Sequence, residues 1–267
     1  MFRAIRWQFR APQTLYLSIL LMYLQMLMDD GRVKGVRTAR VHSVRNLTAD
    51  TYVLRFDRHD MAFEPGQYLS VGPKDDVNMR EYSIYSALDD DYLEVLVREV
   101  RTGYVSRELR SLHSGSMLKV EGPFGFFTIH PRTRATGKLM FVATGTGISP
   151  FSCIVRSYPG LECQLVHGIR WLNEQYEYSK LEISRITSCI SREDIGSVNH
   201  NDNGSSGSAQ NSRKLFSGRV TDYLRQHPPS PDTYCYLCGN CDMIYESFDI
   251  LKKHGVPVEH VFAEVYY

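Results

Sequence analysis

The chain has 267 residues, enough for two domains that each bury a core. Its 43% hydrophobic and 23% charged content is that of an ordinary globular protein, and a formal net charge of +1 excludes recognition of nucleic acid by bulk charge. Residues 1 to 35 form an extension distinct in composition from the rest of the chain: Arg3, Arg6 and Arg10 precede an uncharged stretch from Leu15 to Met28, too short for a comfortable membrane span. Three readings stand: a membrane-surface anchor, a transit or signal peptide, and translation from an upstream start with the true start at Met28, the last being preferred.

From residue 36 to 132 apolar and polar residues alternate, as in Thr51-Tyr52-Val53-Leu54-Arg55-Phe56 and Leu93-Glu94-Val95-Leu96-Val97. Turn chemistry at Pro65-Gly66, Gly72-Pro73 and Asp89-Asp90-Asp91 separates the runs, with one helix expected over Ser106 to Leu112. This predicts a small antiparallel Greek-key β-barrel. From 137 to 267 the pattern changes to that of a doubly wound α/β domain with a parallel sheet. Strands are expected near 139 to 143, 163 to 168, 187 to 191, 234 to 238 and 259 to 264, with helices beginning near Pro150, Asn173, Arg219 and Asp242. The run from Gly196 to Ser212, rich in Gly, Ser and Asn, is expected to be a disordered loop.

Three motifs carry chemistry. Arg80-Glu81-Tyr82-Ser83 falls on an expected strand, where residues two apart share a face, so Arg80 and Tyr82 present a cation and a ring to one extended ligand. Gly103-Tyr104-Val105-Ser106 leads into a helix, with Ser106 as the expected N-cap of an anion site. Gly145-Thr146-Gly147-Ile148-Ser149-Pro150 follows a buried strand and opens a helix, the context of a dinucleotide pyrophosphate, with Ser149 placed to cap. Each has a plain alternative: a solvated strand face, a simple helix cap, and a turn that is not the full Gly-x-Gly-x-x-Gly fingerprint.

Taken in order with Gly122-Pro123-Phe124-Gly125, Ser191-Arg192-Glu193, Cys238-Gly239-Asn240 and Glu264-Val265-Tyr266-Tyr267, these motifs resemble the ferredoxin-NADP(+) reductase family over roughly residues 36 to 267. The short Gly218-Arg219-Val220 element brings the chain closer to bacterial flavodoxin/ferredoxin-NADP reductases. The resemblance implies FAD and NADP(H) as cofactors and ferredoxin or flavodoxin as a transient one-electron partner. It gives Arg80, Tyr82, Ser83 and the turn Gly103, Tyr104, Val105, Ser106 to FAD. Gly145, Thr146 and Gly147 fall to the NADP pyrophosphate, and Arg170, Ser191, Arg192 and Arg219 to its 2′-phosphate. Ser83, Cys238, Glu264 and Tyr266 surround the site of hydride transfer, with Tyr266 over the flavin and Tyr267 reaching toward FAD. Val105 stands where plastid members carry Cys.

Six cysteines, at 153, 163, 189, 235, 238 and 241, fit a reducing cytoplasm better than a disulfide framework. A metal or iron-sulfur cluster at Cys235-x-x-Cys238-x-x-Cys241 is not expected, because residues along a strand point to opposite faces. Lacking a plant-type Cys-x4-Cys-x2-Cys segment, these residues require an external acceptor. The rival readings are an oxygenase reductase or general diaphorase, and a non-catalytic flavin sensor on the same scaffold.

Overall fold

A computed structural model describes residues 35–181, 185–194 and 212–266. Antiparallel strands β1 (Arg37–Asn46), β2 (Thr51–Asp57), β3 (Tyr68–Pro73), β4 (Arg80–Ser83), β5 (Tyr92–Arg98) and β6 (Met117–Phe124) form one sheet in the order β4-β3-β6-β1-β2-β5. Its two edges meet at an Ile84 to Val95 bridge, and the Tyr85 N–H donates to the Glu94 carbonyl at 2.8 Å, which curls the sheet into a barrel. Alternation along β2 sends Tyr52, Leu54 and Phe56 inward, where Val105 and Leu109 of helix α1 (Val105–Ser111) close the core. The intervening Val53 faces outward and is nonetheless fully buried, because it packs with Phe141, Phe151 and Ile148 of the second half of the chain.

After the short helix α2 (Pro131–Thr136), strands β7 (Lys138–Thr144), β8 (Cys163–Ile169), β9 (Arg185–Ile190), β10 (Ser212–Ser217), β11 (Thr233–Asn240) and β12 (Val261–Tyr266) form a second sheet. It is wholly parallel, in the order β10-β9-β8-β7-β11-β12. Helix α3 (Ser149–Ser157) and the barrel cover one face; α4 (Val220–Gln226) and α5 (Cys241–Lys253) cover the other. The connection from β7 to β8 and the later arrival of β11 lie on opposite sides of β7, so a crevice opens at the carboxyl end of β7. Among the described residues no helix is long and apolar enough to cross a membrane.

Two sequence expectations are corrected. No α-helix begins at Asn173; the segment holds two single 3-10 turns, Leu172–Glu174 and Tyr178–Lys180, broken by Glu177 in the left-handed region at φ 48°. Tyr176 and Tyr178 are both buried against the sheet, a spacing of two that a helix cannot present to one side. The strand β10 is absent from the sequence expectations, because an edge strand of sequence SRKLFS carries little apolar signal beside a Gly- and Ser-rich run. The expected loop over Gly196 to Ser212 lies outside the described residues as far as 211, and Ser212 already belongs to β10. Residues 1 to 34 and Tyr267 also lie outside them.

Candidate active site

On the barrel side the site starts from β4. Arg80 is exposed and its guanidinium donates to the Met79 carbonyl at 2.8 Å, while Tyr82 packs on the barrel core and burial pushes its phenol up to about 12. The neighbouring turn needs glycine: a Cβ on Gly103 would sit 2.9 Å from the Val100 Cβ. Ser106 does not cap α1, contrary to expectation. It lies within the first helical turn, and its Oγ accepts from the Val100 N–H at 3.1 Å, drawing the turn closed. Tyr104, half exposed, occupies the N-cap position without a side-chain cap bond, and Val105 is buried beneath it.

Across the crevice, the two glycines after β7 serve different needs. Gly145 adopts φ +53°, and the face on which a Cβ would stand is open except for the Arg98 guanidinium at 4.0 Å. Gly147 is buried, and a Cβ there would meet the Cys238 carbonyl oxygen at 2.3 Å, so it permits close packing on β11. Ser149, like Ser106, does not cap; its hydroxyl donates to the Ser83 carbonyl at 3.0 Å and ties α3 to β4. Pro150 takes its place in the first turn of α3.

The end of β12 reaches back to β4. Tyr266 O–H donates to Ser83 Oγ at 2.6 Å, and Ser83 O–H donates to Glu264 Oε1 at 2.6 Å. Cys238 is the register partner of Glu264 on β11 and hydrogen-bonds Tyr266 from beneath, fully buried. Burial raises the Glu264 carboxyl above its ordinary value, with nearby Glu81 adding to the shift. Burial, reinforced by Glu264, also holds the Cys238 thiol well above its usual range, so it is a neutral packing group rather than a thiolate. Cys235, three residues earlier on β11, packs on the opposite face of the sheet, so the two sulfurs do not converge.

At the far end, strands β8, β9 and β10 bring four predicted residues together. Ser191 donates through both N–H and Oγ to the Ile169 carbonyl at 3.1 and 3.2 Å, and the Arg192 N–H donates to the Arg170 carbonyl at 3.1 Å. The Gly218 N–H donates to the Ile190 carbonyl at 2.8 Å, which sets Arg219 at the N-cap of α4, its own N–H bonded to Asp222. Arg170 faces Glu174 at 3.4 Å and Asp50 at 3.8 Å. Sequence reading missed Arg98 and Glu174. Arg98 ends β5 and pairs with Asp50 at 2.8 Å, and buried Glu174 accepts from the Arg170 N–H at 2.6 Å. A cation closing an apolar strand just before the Gly103 turn was the available signal for Arg98.

All the predicted residues among the described ones except Gly147 and Cys238 line one cleft of about 1150 Å³; those two lie directly behind its wall. The cleft runs from the barrel strand β4 to the ends of the parallel strands. It joins backbone amides and arginines for anions to a hydrogen-bonded line of a buried serine with a half-buried carboxyl and tyrosine.

Residues 38–129 match the family described as the oxidoreductase FAD-binding domain. Ferredoxin-NADP reductase B of Sorangium cellulosum is 29% identical over 251 residues, covering 85% of this chain and 96% of that protein. The reductase component of the naphthalene 1,2-dioxygenase/salicylate 5-hydroxylase systems of a Ralstonia species is 28% identical, covering 88% of this chain and 69% of that longer protein. The crystal structure of a ferredoxin NADP(+) reductase from Neisseria gonorrhoeae superposes with a TM-score of 0.72 at 19% identity, covering 88% of this chain and 100% of the other. Residues 38–129 thus form an oxidoreductase FAD-binding domain, and the barrel, the parallel sheet and the cleft between them have the fold of the ferredoxin-NADP(+) reductases, to which the whole described chain is similar.

Proposed function

We propose that this protein is an FAD-dependent reductase that takes hydride from NADPH and hands electrons one at a time to a separate carrier, a ferredoxin or a flavodoxin, in the cytoplasm. The observation that carries the reading is the line from Tyr266 to Ser83 to Glu264, two bonds of 2.6 Å that join residues about 180 positions apart at the wall of the cleft. The residues present fit FAD. Arg80 offers an exposed guanidinium that, among the described residues, donates to its neighbour's carbonyl, suited to a pyrophosphate; Tyr82 offers a ring, and the Gly103 to Ser106 turn offers a close-packed backbone for the remaining phosphate. Tyr104 and Val105 wall that turn, and the family resemblance assigns Tyr267 to the same cofactor. Bound FAD supplies the chemistry, accepting hydride at N5 and releasing electrons singly.

This chain's residues do the positioning. Ser83 holds a hydroxyl whose proton is directed to Glu264 Oε1, and the raised carboxyl of Glu264 can keep a proton at higher pH than an exposed glutamate. Cys238 and Gly147 fill the space behind them and keep water out. Tyr266 covers the flavin and gives way to nicotinamide. Gly145 and Thr146 receive the NADP pyrophosphate, while Ser191, Arg192 and Arg219, with Arg170, receive the 2′-phosphate. Arg192→Ala should therefore raise the KM for NADPH roughly 10- to 100-fold, the loss of one or two charge-assisted bonds, and leave NADH use nearly unchanged. Equal losses for both nucleotides would remove Arg192 from that role.

The reading is tested on purified full-length protein by its flavin absorption and by NADPH-driven reduction of ferricyanide. Folded protein that neither contains nor takes up FAD would overturn it, and FAD without turnover would favour a sensor. A second reading, service to an oxygenase, is favoured by the Ralstonia relative. Cytochrome c reduction with added ferredoxins, flavodoxins or oxygenase components separates the acceptors.

A further inference from the structure

Behind the Gly145 loop, in the interior of the α/β domain, lies a line of polar side chains that no role described above uses. His167 on β8 is fully buried; its Nε2 lies 2.8 Å from the Gly145 carbonyl oxygen and its Nδ1 2.7 Å from the Tyr178 hydroxyl. A carbonyl only accepts, so Nε2 carries the proton, Nδ1 is the acceptor, and Tyr178 O–H donates to it. Ser188 Oγ on β9 donates in turn to the Tyr178 oxygen at 3.4 Å, and Gln175 Nε2 donates to Ser188 Oγ at 3.1 Å. All four bonds point the same way, ending on Gly145. Burial pushes the His167 imidazole down to about 4, so at neutral pH it stays in the single-proton form this chain requires.

The carbonyl of Gly145 belongs to the same planar trans peptide as the N–H of Thr146, and in such a unit the C=O and N–H bonds point in opposite directions. Drawing the carbonyl inward to His167 therefore turns the Thr146 N–H outward, to the side on which Gly145 and Thr146 line the cleft. The left-handed φ of Gly145, +53°, is the backbone state in which this occurs. The peptide opens the 3-10 turn Gly145–Ile148; without the inward bond its first unit loses its side-chain anchor and the amide can depart from the outward direction, and a carbonyl oxygen turned toward the cleft would repel an anion.

We propose that His167 is a positioning residue for dinucleotide binding: through its Nε2–H bond to the Gly145 carbonyl it fixes the peptide that presents the Thr146 amide to the pyrophosphate. This inference rests on the proposed NADP(H) site and deepens it. The chain Gln175, Ser188, Tyr178 fixes the tautomer, so the irregular segment between β8 and β9 is part of the nucleotide site although it lies behind it.

Two polar substitutions isolate the bond. In His167→Gln the side-chain amide can still donate to Gly145, whereas in His167→Asn the shorter side chain can accept from Tyr178 but does not reach Gly145. FAD-loaded full-length protein is titrated with NADP(+) by calorimetry and by flavin difference absorption, with FAD content and Tm recorded for each variant. The Asn variant should bind NADP(+) about tenfold or more weakly, as for a lost bond supporting a charged ligand, and should raise the KM for NADPH while keeping kcat. The Gln variant should stay close to wild type. Equal affinity of Asn and wild type would overturn the proposal, as would equal losses in Gln and Asn. Amide hydrogen exchange at Thr146 without nucleotide reads the peptide directly: it should change in Asn and not in Gln, and an unchanged Thr146 in both overturns the proposal. If the wild type fails to bind NADP(+) while Thr146 responds as described, the peptide positioning stands and the assignment of the nucleotide falls.

Discussion

At Tyr266 one side chain has two parts: its hydroxyl holds Ser83 at 2.6 Å, and its ring lines the cleft in which the proposed flavin would be covered and uncovered. Ring stacking is worth roughly 1 to 3 kcal/mol per pair. Tyr266→Ser should accordingly tighten nicotinamide binding about tenfold or more and help NADH proportionally more than NADPH, because NADH has no 2′-phosphate contacts with which to compete. A variant that keeps its FAD with unchanged affinity and selectivity would show that the ring merely packs. Its neighbour Glu264 makes a different prediction. Burial raises its carboxyl, so the folded chain holds that proton more tightly than the unfolded chain does. The resulting stability is fully present below the ordinary glutamate range and is lost as pH rises through the raised folded value. Glu264→Gln cannot ionise, so its Tm should rise relative to wild type on going from pH 4 to pH 8, while turnover falls. A Tm difference that is the same at both pH values would contradict the buried-carboxyl account.

Pairing between strands decides where charge can be buried. Arg55 on β2 and Glu94 on β5 are direct register partners, and Glu94 is fully buried with Oε1 2.8 Å from Arg55 Nη2 and 3.3 Å from Arg45 Nη1. Arg45 also reaches Glu177 at 2.9 Å, joining the barrel to the segment that the sequence misread as a helix. Removing one partner of a buried pair leaves an uncompensated charge, which costs about 3 kcal/mol or more, whereas replacing both with apolar groups is often neutral. Arg55→Met leaves Glu94 with Arg45 alone at 3.3 Å, so it should lose roughly 1 to 3 kcal/mol in urea denaturation, and adding Glu94→Leu should restore most of it. Losses that simply add in the double variant would show that Arg55 and Glu94 do not act as a coupled pair. The Glu174 carboxylate shows the same logic from the other side: its bond to the Arg170 N–H helps hold the turn that replaces the expected helix.

On the scale of the molecule, the barrel and the α/β domain share a core. Val53, Tyr85 and Leu96 of the barrel pack in one cluster with Phe141, Phe151 and Tyr236 of the other half, and every described site residue lies within the unit from Val36 onward. Protein started at Met28 should therefore match the full chain in FAD content and NADPH-ferricyanide turnover. Loss of folding or of flavin in that shorter protein would refute the view that residues 1 to 27 lie outside the catalytic unit.

What the sequence determined by itself is whatever depends on neighbours along the chain. The two-residue period of the barrel, the apolar run of β7, the glycines at 103, 145 and 147 and the order of the motifs were all legible, because backbone conformation and strand alternation are local. The roles proposed for Ser83 and Glu264 rest on resemblance alone, and those proposed for Arg80 and Tyr82 rest on resemblance together with their shared strand face. Only the tertiary structure decided that Ser149 and Ser106 bond to distant or preceding backbone rather than cap, and that Arg98 and Glu174 join the cleft. It alone decided that His167 reaches Gly145, since a hydrogen bond between residues 22 positions apart is set by how β7 and β8 pair and leaves no periodic trace in the chain.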